Sequence, residues 1–176
     1  GIALSLASEG ATVIVNSYSE STTKSTVEEI KRAGGTAKGM AGDITNPYKI
    51  MDVVNAALED HGKIDILINN VGAGPKTAED PPSHPLSSVE ATWNALYNQN
   101  LLPTVLMSEA VVPHMRKKKY GKIINITSIV GHTGNLGQAN YAASKAGIVA
   151  MSKSLAIEYA KKNITINCVS PGFIQS

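Results

Sequence analysis

The chain is predicted to fold as an α/β domain, an open, doubly wound parallel sheet with helices on both faces. Three observations carry that prediction. First, short β-branched or apolar runs alternate with helical stretches long enough to cross back over a sheet: ATVIVN (11–16), IDILINNVG (64–72), KIINITS (122–128) and ITINCVS (164–170). Second, the later runs lack polar alternation, which fits strands buried on both faces. Third, polar residues or glycine stand where several of these runs end. Ligands of such sheets bind beyond the C-terminal ends of the strands.

The elements follow in order. IALSLASEG is helical and stops at Gly10, and ATVIVN is the first strand. In SESTTKSTVEEIKRAGG a Ser/Thr start and a Gly34-Gly35 stop frame an amphipathic helix with Val27, Ile30 and Ala33 on one face. TAKGMAGD is a weaker strand ending at Asp43. PYKIMDVVNAALEDHG is a helix, with Pro47 suited to its first turn and Ile50, Val53, Val54 and Leu58 on one stripe. IDILINNVG is a strand, followed by an irregular Pro-rich stretch over 73–87 that is too polar for core. That stretch reads as a substrate-side loop or as a plain connector. Long helices are expected over roughly 88–118 and 139–162, flanking KIINITS and leading into ITINCVS.

At 176 residues the chain has the size of one domain, expected to run over 1–176 and long enough to bury roughly 70% of its unfolded surface. With 43% hydrophobic and 17% charged residues it reads as globular rather than disordered. A net charge of +2 is too small to argue for nucleic acid or an anionic membrane surface. The basic run Arg116-Lys117-Lys118-Lys119 reads as a solvated helix end that suits the negative pole of the helix dipole. Cys168 stands alone, so no disulfide or Cys-type zinc site is expected, and it reads as a small buried side chain. His61, His84, His114 and His132 show no metal-ligand spacing, so no metal is expected. No run reaches membrane-spanning length and no signal pattern opens the chain, so the expected compartment is cytoplasmic, and the sequons at Asn125 and Asn163 read as chance.

The chemistry concentrates in QANYAASKAG (138–147). Tyr141 and Lys145, at i and i+4, share a helix face and can reach one reacting atom. A phenol titrates near pH 10 and exchanges protons poorly at neutrality unless a nearby cation stabilises its anion. Small neighbours (Ala142, Ala143, Ala146, Gly147) leave room for a flat ligand. Alone, this pair is a pattern many helices carry. Ser128 at the end of KIINITS, Asn70 and Gly72 at the end of IDILINNVG, Asn100 in WNALYNQNLL, and Pro171-Gly172 after ITINCVS supply the rest of a shared crevice.

With those residues in place, the chain resembles the short-chain dehydrogenase/reductase family nearly end to end. GDIT carries Asp43 where the family has an adenine-contacting Asp, and NNVG matches its NNAG with Val71 in place of Ala. Asn100, Ser128, Tyr141 and Lys145 match the catalytic tetrad, and SPGFIQS matches the segment that clasps the nicotinamide end. GNLGQANYAASKAG is most similar to 3-oxoacyl-[acyl-carrier-protein] reductases, though sugar and alcohol dehydrogenases share much of it.

The resemblance implies a Rossmann-type domain and hydride transfer between a nicotinamide and a carbonyl or alcohol. Tyr141 would be the general acid and Ser128 would hold the carbonyl oxygen. Lys145 would stabilise the phenolate and bind the ribose hydroxyls, and Asn100 would keep open a water path to the lysine. Cofactor contacts would come from Ser17, Asp43, Ile44, Asn70, Gly72, Tyr141, Lys145, Pro171, Gly172 and Ile174. The substrate is expected to be a 3-oxoacyl-type or related ketone, free or as a carrier-bound acyl thioester. The alternatives are an alcohol or sugar dehydrogenase and a non-catalytic fragment of the fold. After the first strand the sequence reads Asn16-Ser17-Tyr18-Ser19, with no carboxylate to bond a free ribose 2′-hydroxyl, so NADP(H) is favoured over NAD(H). Apolar stripes (Leu101, Val105, Val112; Ile148, Met151, Leu155) would by the same resemblance pack between subunits, which implies a homo-oligomer; their own sheet is the other candidate partner.

Family members open with a strand and a TGxxxGxG turn, and close with a loop over the substrate and a further helix and strand. This sequence begins inside the first helix and ends at Ser176. It is therefore expected to be truncated at both ends, lacking the first and last strands of the sheet. The missing first strand is central in such a sheet, and each unpaired buried backbone group costs about 1–3 kcal/mol. An isolated chain of this extent is expected to be poorly stable and a weak binder of cofactor.

Overall fold

The computed structural model describes residues 1–73 and 86–174. Most of the Pro-rich stretch expected to form a substrate-side loop thus lies outside the described residues. The chain divides into two compact units, Gly1–Gly62 and Lys63–Ser176. Their strands form two sheets, all pairs parallel.

The first unit holds α1 (Ile2–Ser8), β1 (Thr12–Ser17), α2 (Glu20–Arg32), β2 (Thr36–Ala41) and α3 (Pro47–His61). Helix α2 starts at Ser19, whose side chain accepts from the Thr22 amide, and ends with Lys31 and Arg32 in its last turn, where cations suit the dipole. Ile30 is fully buried and Val27 packs beside it, against Ala7, Val15 and Ala37; burying an isoleucine this way is worth about 1.5–3 kcal/mol. Ala33 does not join them, because the helix has already ended and Ala33 is its C-cap. Helix α3 starts as its sequence suggests. Asn46 Oδ1 accepts from the Tyr48 amide at 2.9 Å, Pro47 fills the first turn, and Gly62 closes the helix at φ +68°. Ile50, Val54 and Ala57 are its buried residues. Strands β1 and β2 run in register from Thr12↔Thr36 to Ser17↔Ala41.

The second unit holds β3 (Ile66–Asn69), α4 (Leu86–Leu96), a π-helical turn (Tyr97–Leu101), α5 (Leu102–Lys118), β4 (Gly121–Ile126), α6 (Val130–Thr133), α7 (Ala139–Tyr159), one 3₁₀ turn (Ala160–Lys162) and β5 (Ile164–Val169). Sheet order is β3-β4-β5. The single helix expected over 88–118 is continuous but contains the π turn, where one extra residue widens the coil. Nothing local marks it, since Tyr97-Asn98-Gln99-Asn100 fits a regular helix equally well.

Strand β5 departs from the both-face burial expected of its apolar run. Ile164 and Ile166 are buried, while Thr165, Asn167 and Val169 are exposed. Alternate residues of a strand face opposite sides, and α5 and α7 cover only one side. A buried polar chain marks that covered side. Asn69 and Asn125 are register partners, and Asn69 Nδ2 donates to Asn125 Oδ1 at 2.9 Å and to Ser108 Oγ on α5 at 3.3 Å. Asn125 Nδ2 donates to Ser152 Oγ on α7 at 2.8 Å. Both hydroxyls then donate to carbonyls of their own helices, Thr104 and Ile148, so the hydroxyls and amide donors of this network all have partners. Polar side chains thus take positions that apolar residues would otherwise fill, and they fix α5 and α7 relative to the strands between them.

Candidate active site

Helix α7 carries Lys145 one turn after Tyr141. The lysine is buried, 4% exposed, and its Nζ donates to the Ile126 carbonyl at the end of β4, 3.1 Å away. Among the described residues it has no carboxylate partner. Burial without a counter-charge disfavours the ammonium and lowers its pKa. The Tyr141 ring lies within reach of that charge, with Nζ 5.8 Å from the ring centroid. The helix spacing read from sequence therefore delivers the expected pair.

Asn100 sits in the π turn and is wholly buried. Its Nδ2 donates to the carbonyls of Leu96 (3.1 Å) and Ala73 (3.2 Å), so it both closes the widened turn and ties down the segment after β3. Among the described residues its Oδ1 has no partner. Gly72, at φ +133°, lies directly opposite. A Cβ on Gly72 would fall on Asn100 Oδ1 and within 3.0 Å of Lys145 Nζ. Only a residue without a side chain fits so close to both groups. Beyond its Ile126 bond Lys145 keeps further N–H donors, and Asn100 Oδ1 keeps its acceptor capacity. The site's own donor set therefore fits a ribose hydroxyl or a proton-carrying water.

Ser128 lies two residues past the end of β4, and its Oγ accepts from the Val130 amide at 3.2 Å. That bond orients the hydroxyl while leaving its proton free to donate. Gly131 lets α6 rest on the α7 backbone: a Cβ there would come within 3.0 Å of Lys145 and Ala146 atoms. The Ser128 turn is thereby set against the helix that carries Tyr141 and Lys145. The β4–β5 ladder continues past both strands, with Thr127 N donating to Val169 O (2.8 Å) and Ile129 N to Pro171 O (2.9 Å). Beyond Pro171, Gly172, Phe173 and Ile174 are exposed. Asn70, just past β3, is exposed as well.

The remaining expected cofactor contacts belong to the first unit. Ser17 ends β1, and its hydroxyl bonds the Ser19 backbone in a tight turn. Asn16 Nδ2 is committed to the carbonyls of Met40 (2.7 Å) and Gly42 (3.4 Å). Asp43 lies two residues beyond β2 rather than at its end; its exposed carboxylate accepts from the Thr45 amide (2.9 Å) and hydroxyl (2.8 Å), with Ile44 half-buried between them.

Several participants were not legible in sequence. The Ile126 carbonyl that receives Lys145 is a backbone group with no sequence signature. The basic run at 116–119 is not a lone helix end either. Arg116, Lys117 and Lys119 line a cleft of about 630 Å³ with Pro113, Lys161, Lys162 and Asn163. Pairing of Gly121 with Ile164 brings the two helix ends together there. The subunit stripes are split: Val112 and Ile148 are 5% and 1% exposed and are absorbed by their own unit, leaving Leu101, Val105, Met151 and Leu155 half-buried.

Known proteins resemble this chain over nearly its whole length. A family model described as short chain dehydrogenase matches residues 1–176. The 3-oxoacyl-[acyl-carrier-protein] reductase of Vibrio cholerae is 41% identical over 175 residues, covering 99% of this chain and 68% of that one. The enzyme of the same name from Thermotoga maritima is 38% identical over 173 residues, covering 98% and 68%. A crystal structure assigned to the short-chain dehydrogenases/reductases, from Burkholderia xenovorans, superposes with a TM-score of 0.88 at 34% identity, covering 99% of this chain and 67% of that one. The buried lysine, its tyrosine and the bulged asparagine thus stand in a chain that belongs to the short-chain dehydrogenase/reductase family, the nicotinamide-dependent oxidoreductases.

Proposed function

We propose that the chain reduces the ketone of a 3-oxoacyl thioester presented on a carrier, with NADPH as hydride donor. The observation that carries this reading is the buried Lys145 ammonium, set beside the Tyr141 ring and across Gly72 from the unpartnered Asn100 oxygen. When bound, the nicotinamide supplies a hydride to the carbonyl carbon. Tyr141 donates its phenolic proton to the carbonyl oxygen. Ser128, its hydroxyl already turned by the Val130 amide, donates to the same oxygen and holds it in place. Lys145 stabilises the phenolate that remains and returns a proton to it through a hydroxyl or water held with Asn100 Oδ1. Pro171, Gly172 and Ile174 would cover the nicotinamide end, with Asn70 and Gly72 beside it. Ser17, Asp43 and Ile44 would meet the adenosine end.

Preference for NADPH is supported by the end of β1. No carboxylate stands among Asn16–Ser19, the Asn16 amide and the Ser17 hydroxyl proton are already engaged, and one hydroxyl of the Ser19–Ser21 pair keeps a proton that can meet a 2′-phosphate. The acyl substrate and its carrier are inferred from relatives named 3-oxoacyl-[acyl-carrier-protein] reductases. The cleft of Arg116, Lys117, Lys119, Lys161 and Lys162 supplies positive charge to which an acidic carrier can be drawn. The reading takes both units as one dinucleotide-binding domain, since the family model runs through both without a break. It takes the enzyme to be a cytoplasmic homo-oligomer built on the half-buried stripe residues. No helix among the described residues is long and apolar enough to cross a membrane.

The test is to follow consumption of NADPH and NADH with a 3-oxoacyl thioester, and the reverse reaction with alcohols and polyols. The reading expects thioester reduction with NADPH favoured over NADH by at least about tenfold in kcat/KM, the scale of one charge-assisted hydrogen bond. Turnover of polyols with no thioester reduction would replace it by an alcohol or sugar dehydrogenase. No turnover in either direction would point to a non-catalytic member of the fold.

A further inference from the structure

The turn after β4 and the segment after β5 are joined by side chains that the reaction above does not use. Thr127 is buried, and its hydroxyl lies 2.6 Å from Ser170 Oγ. Ser170 Oγ in turn lies 2.9 Å from His132 Nε2. Thr127 directly precedes Ser128, and Ser170 directly precedes Pro171 and Gly172. His132 belongs to α6, the short helix that Gly131 seats against Lys145 and Ala146. Each of the three groups is thus one or a few residues from a member of the reaction site.

A serine hydroxyl has one proton. Flanked by two partners, Ser170 donates to one and accepts from the other. Whichever ring nitrogen of His132 carries the proton, the imidazole therefore fixes the direction of the Ser170 hydroxyl, and through it that of Thr127. The buried Thr127 hydroxyl has no other protein partner among the described residues. By contrast, no hydrogen bond among the described residues holds Gly172, Phe173 or Ile174, and the last two are 88% and 77% exposed. The last anchors before that free stretch are the Ile129–Pro171 backbone bond and the His132–Ser170–Thr127 chain.

We propose that His132 is a positioning residue: through Ser170 it fixes the start of the 170–174 segment against the Ser128 turn, and so sets how firmly the nicotinamide end of the cofactor is held. The inference rests on the reading of Pro171–Ile174 as the cover of that end. His132 acts through Ser170 and touches neither substrate nor cofactor. Because it is exposed, its removal does not threaten the core.

The experiment compares the wild-type protein with His132→Ala, His132→Gln, Ser170→Ala and the His132→Ala/Ser170→Ala double variant. Two readouts are taken: hydrogen exchange at the Ile129 amide, and NADPH affinity together with kcat. Loss of one such hydrogen bond corresponds to a three- to tenfold effect, about 0.5–1.5 kcal/mol. His132→Ala and Ser170→Ala should each weaken NADPH binding about three- to tenfold and speed exchange at Ile129, with kcat at saturating NADPH held within about twofold. The double variant should be no worse than either single one. Glutamine, whose amide nitrogen or oxygen can stand where Nε2 stands, should restore most of the loss. Unchanged exchange at Ile129 in His132→Ala overturns the inference, as do faster exchange with unchanged affinity, additive losses in the double variant, or no rescue by glutamine. A wild-type protein that binds neither NADPH nor NADH overturns the functional reading and this inference with it, and that outcome is distinguishable because it appears before any substitution is made.

Discussion

Replacing Gly72 by Ala puts one methyl group at the point that Lys145 and Asn100 share. Two costs add. The backbone at φ +133° lies outside the regions an L-residue adopts easily, which costs about 1–3 kcal/mol. The new Cβ would also overlap Asn100 Oδ1. Asn100 has no exposure and cannot swing aside without giving up its bonds to Leu96 and Ala73, worth about 0.5–1.5 kcal/mol each. Together these give a destabilisation of about 2–6 kcal/mol. Urea denaturation reads it as a fall in midpoint at unchanged slope. Gly134→Ala is the control. Gly134 also has a positive φ (+69°, with ψ 174°), a backbone region nearly reserved for glycine, but nothing lies within 4 Å of its would-be Cβ, so only the backbone strain of about 1–3 kcal/mol is expected. Should Gly72→Ala cost no more than Gly134→Ala and leave the turnover rate unchanged, the reasoning that only glycine fits so close to Asn100 and Lys145 would be refuted.

Lys145→Met should separate stability from activity. Burial lowers the ammonium's pKa below its ordinary 10.5, so between the folded value and 10.5 the unfolded chain binds more protons and wild-type stability rises with pH. Methionine should remove that alkaline rise and leave the protein at least as stable at neutral pH, while the reduction rate falls by at least about a hundredfold; denaturation midpoints against pH and steady-state rates check both. Asn125→Ala should cost about 1–3 kcal/mol, because Asn69 Nδ2 and Ser152 Oγ each lose a buried partner, and a denaturant titration measures it. Asn46→Ala should cost about 0.5–2 kcal/mol from the lost cap of α3, visible as a lower thermal midpoint with no change in the Asn100–Lys145 arrangement.

What could be read in advance, and what could not, divides along the range of the interactions. Ser19, Asn46, Pro47 and Gly62 act within one turn of their helices, and the sequence places those helix ends to within a residue or two. Tyr141 and Lys145 share a face by helix geometry alone. The π turn escaped because its cause is tertiary: Asn100 reaches Ala73, which is 27 residues away in sequence. The same holds for the Lys145–Ile126 bond and for Lys161 and Lys162 joining the 116–119 run, both of which depend on how strands and helices come together. Strand β5 misled for a related reason. Its apolar composition suggested two covered faces, but alternation put Thr165 and Asn167 in solvent. His132 drew notice only as a histidine without metal spacing, since its partner Ser170 lies 38 residues on.

The central claim is that Tyr141 hands a proton to the substrate oxygen in a site organised by Lys145, Asn100 and Ser128. Tyr141→Phe removes the phenolic oxygen and keeps the ring beside Lys145. The measurement is NADPH consumption with a 3-oxoacyl thioester by this variant and by the wild-type protein, alongside NADPH affinity. A fall in kcat of at least about a hundredfold, with affinity changed by no more than a few-fold, is the predicted result. A variant that turns over within about tenfold of the wild type would contradict the account and move the proton donor elsewhere.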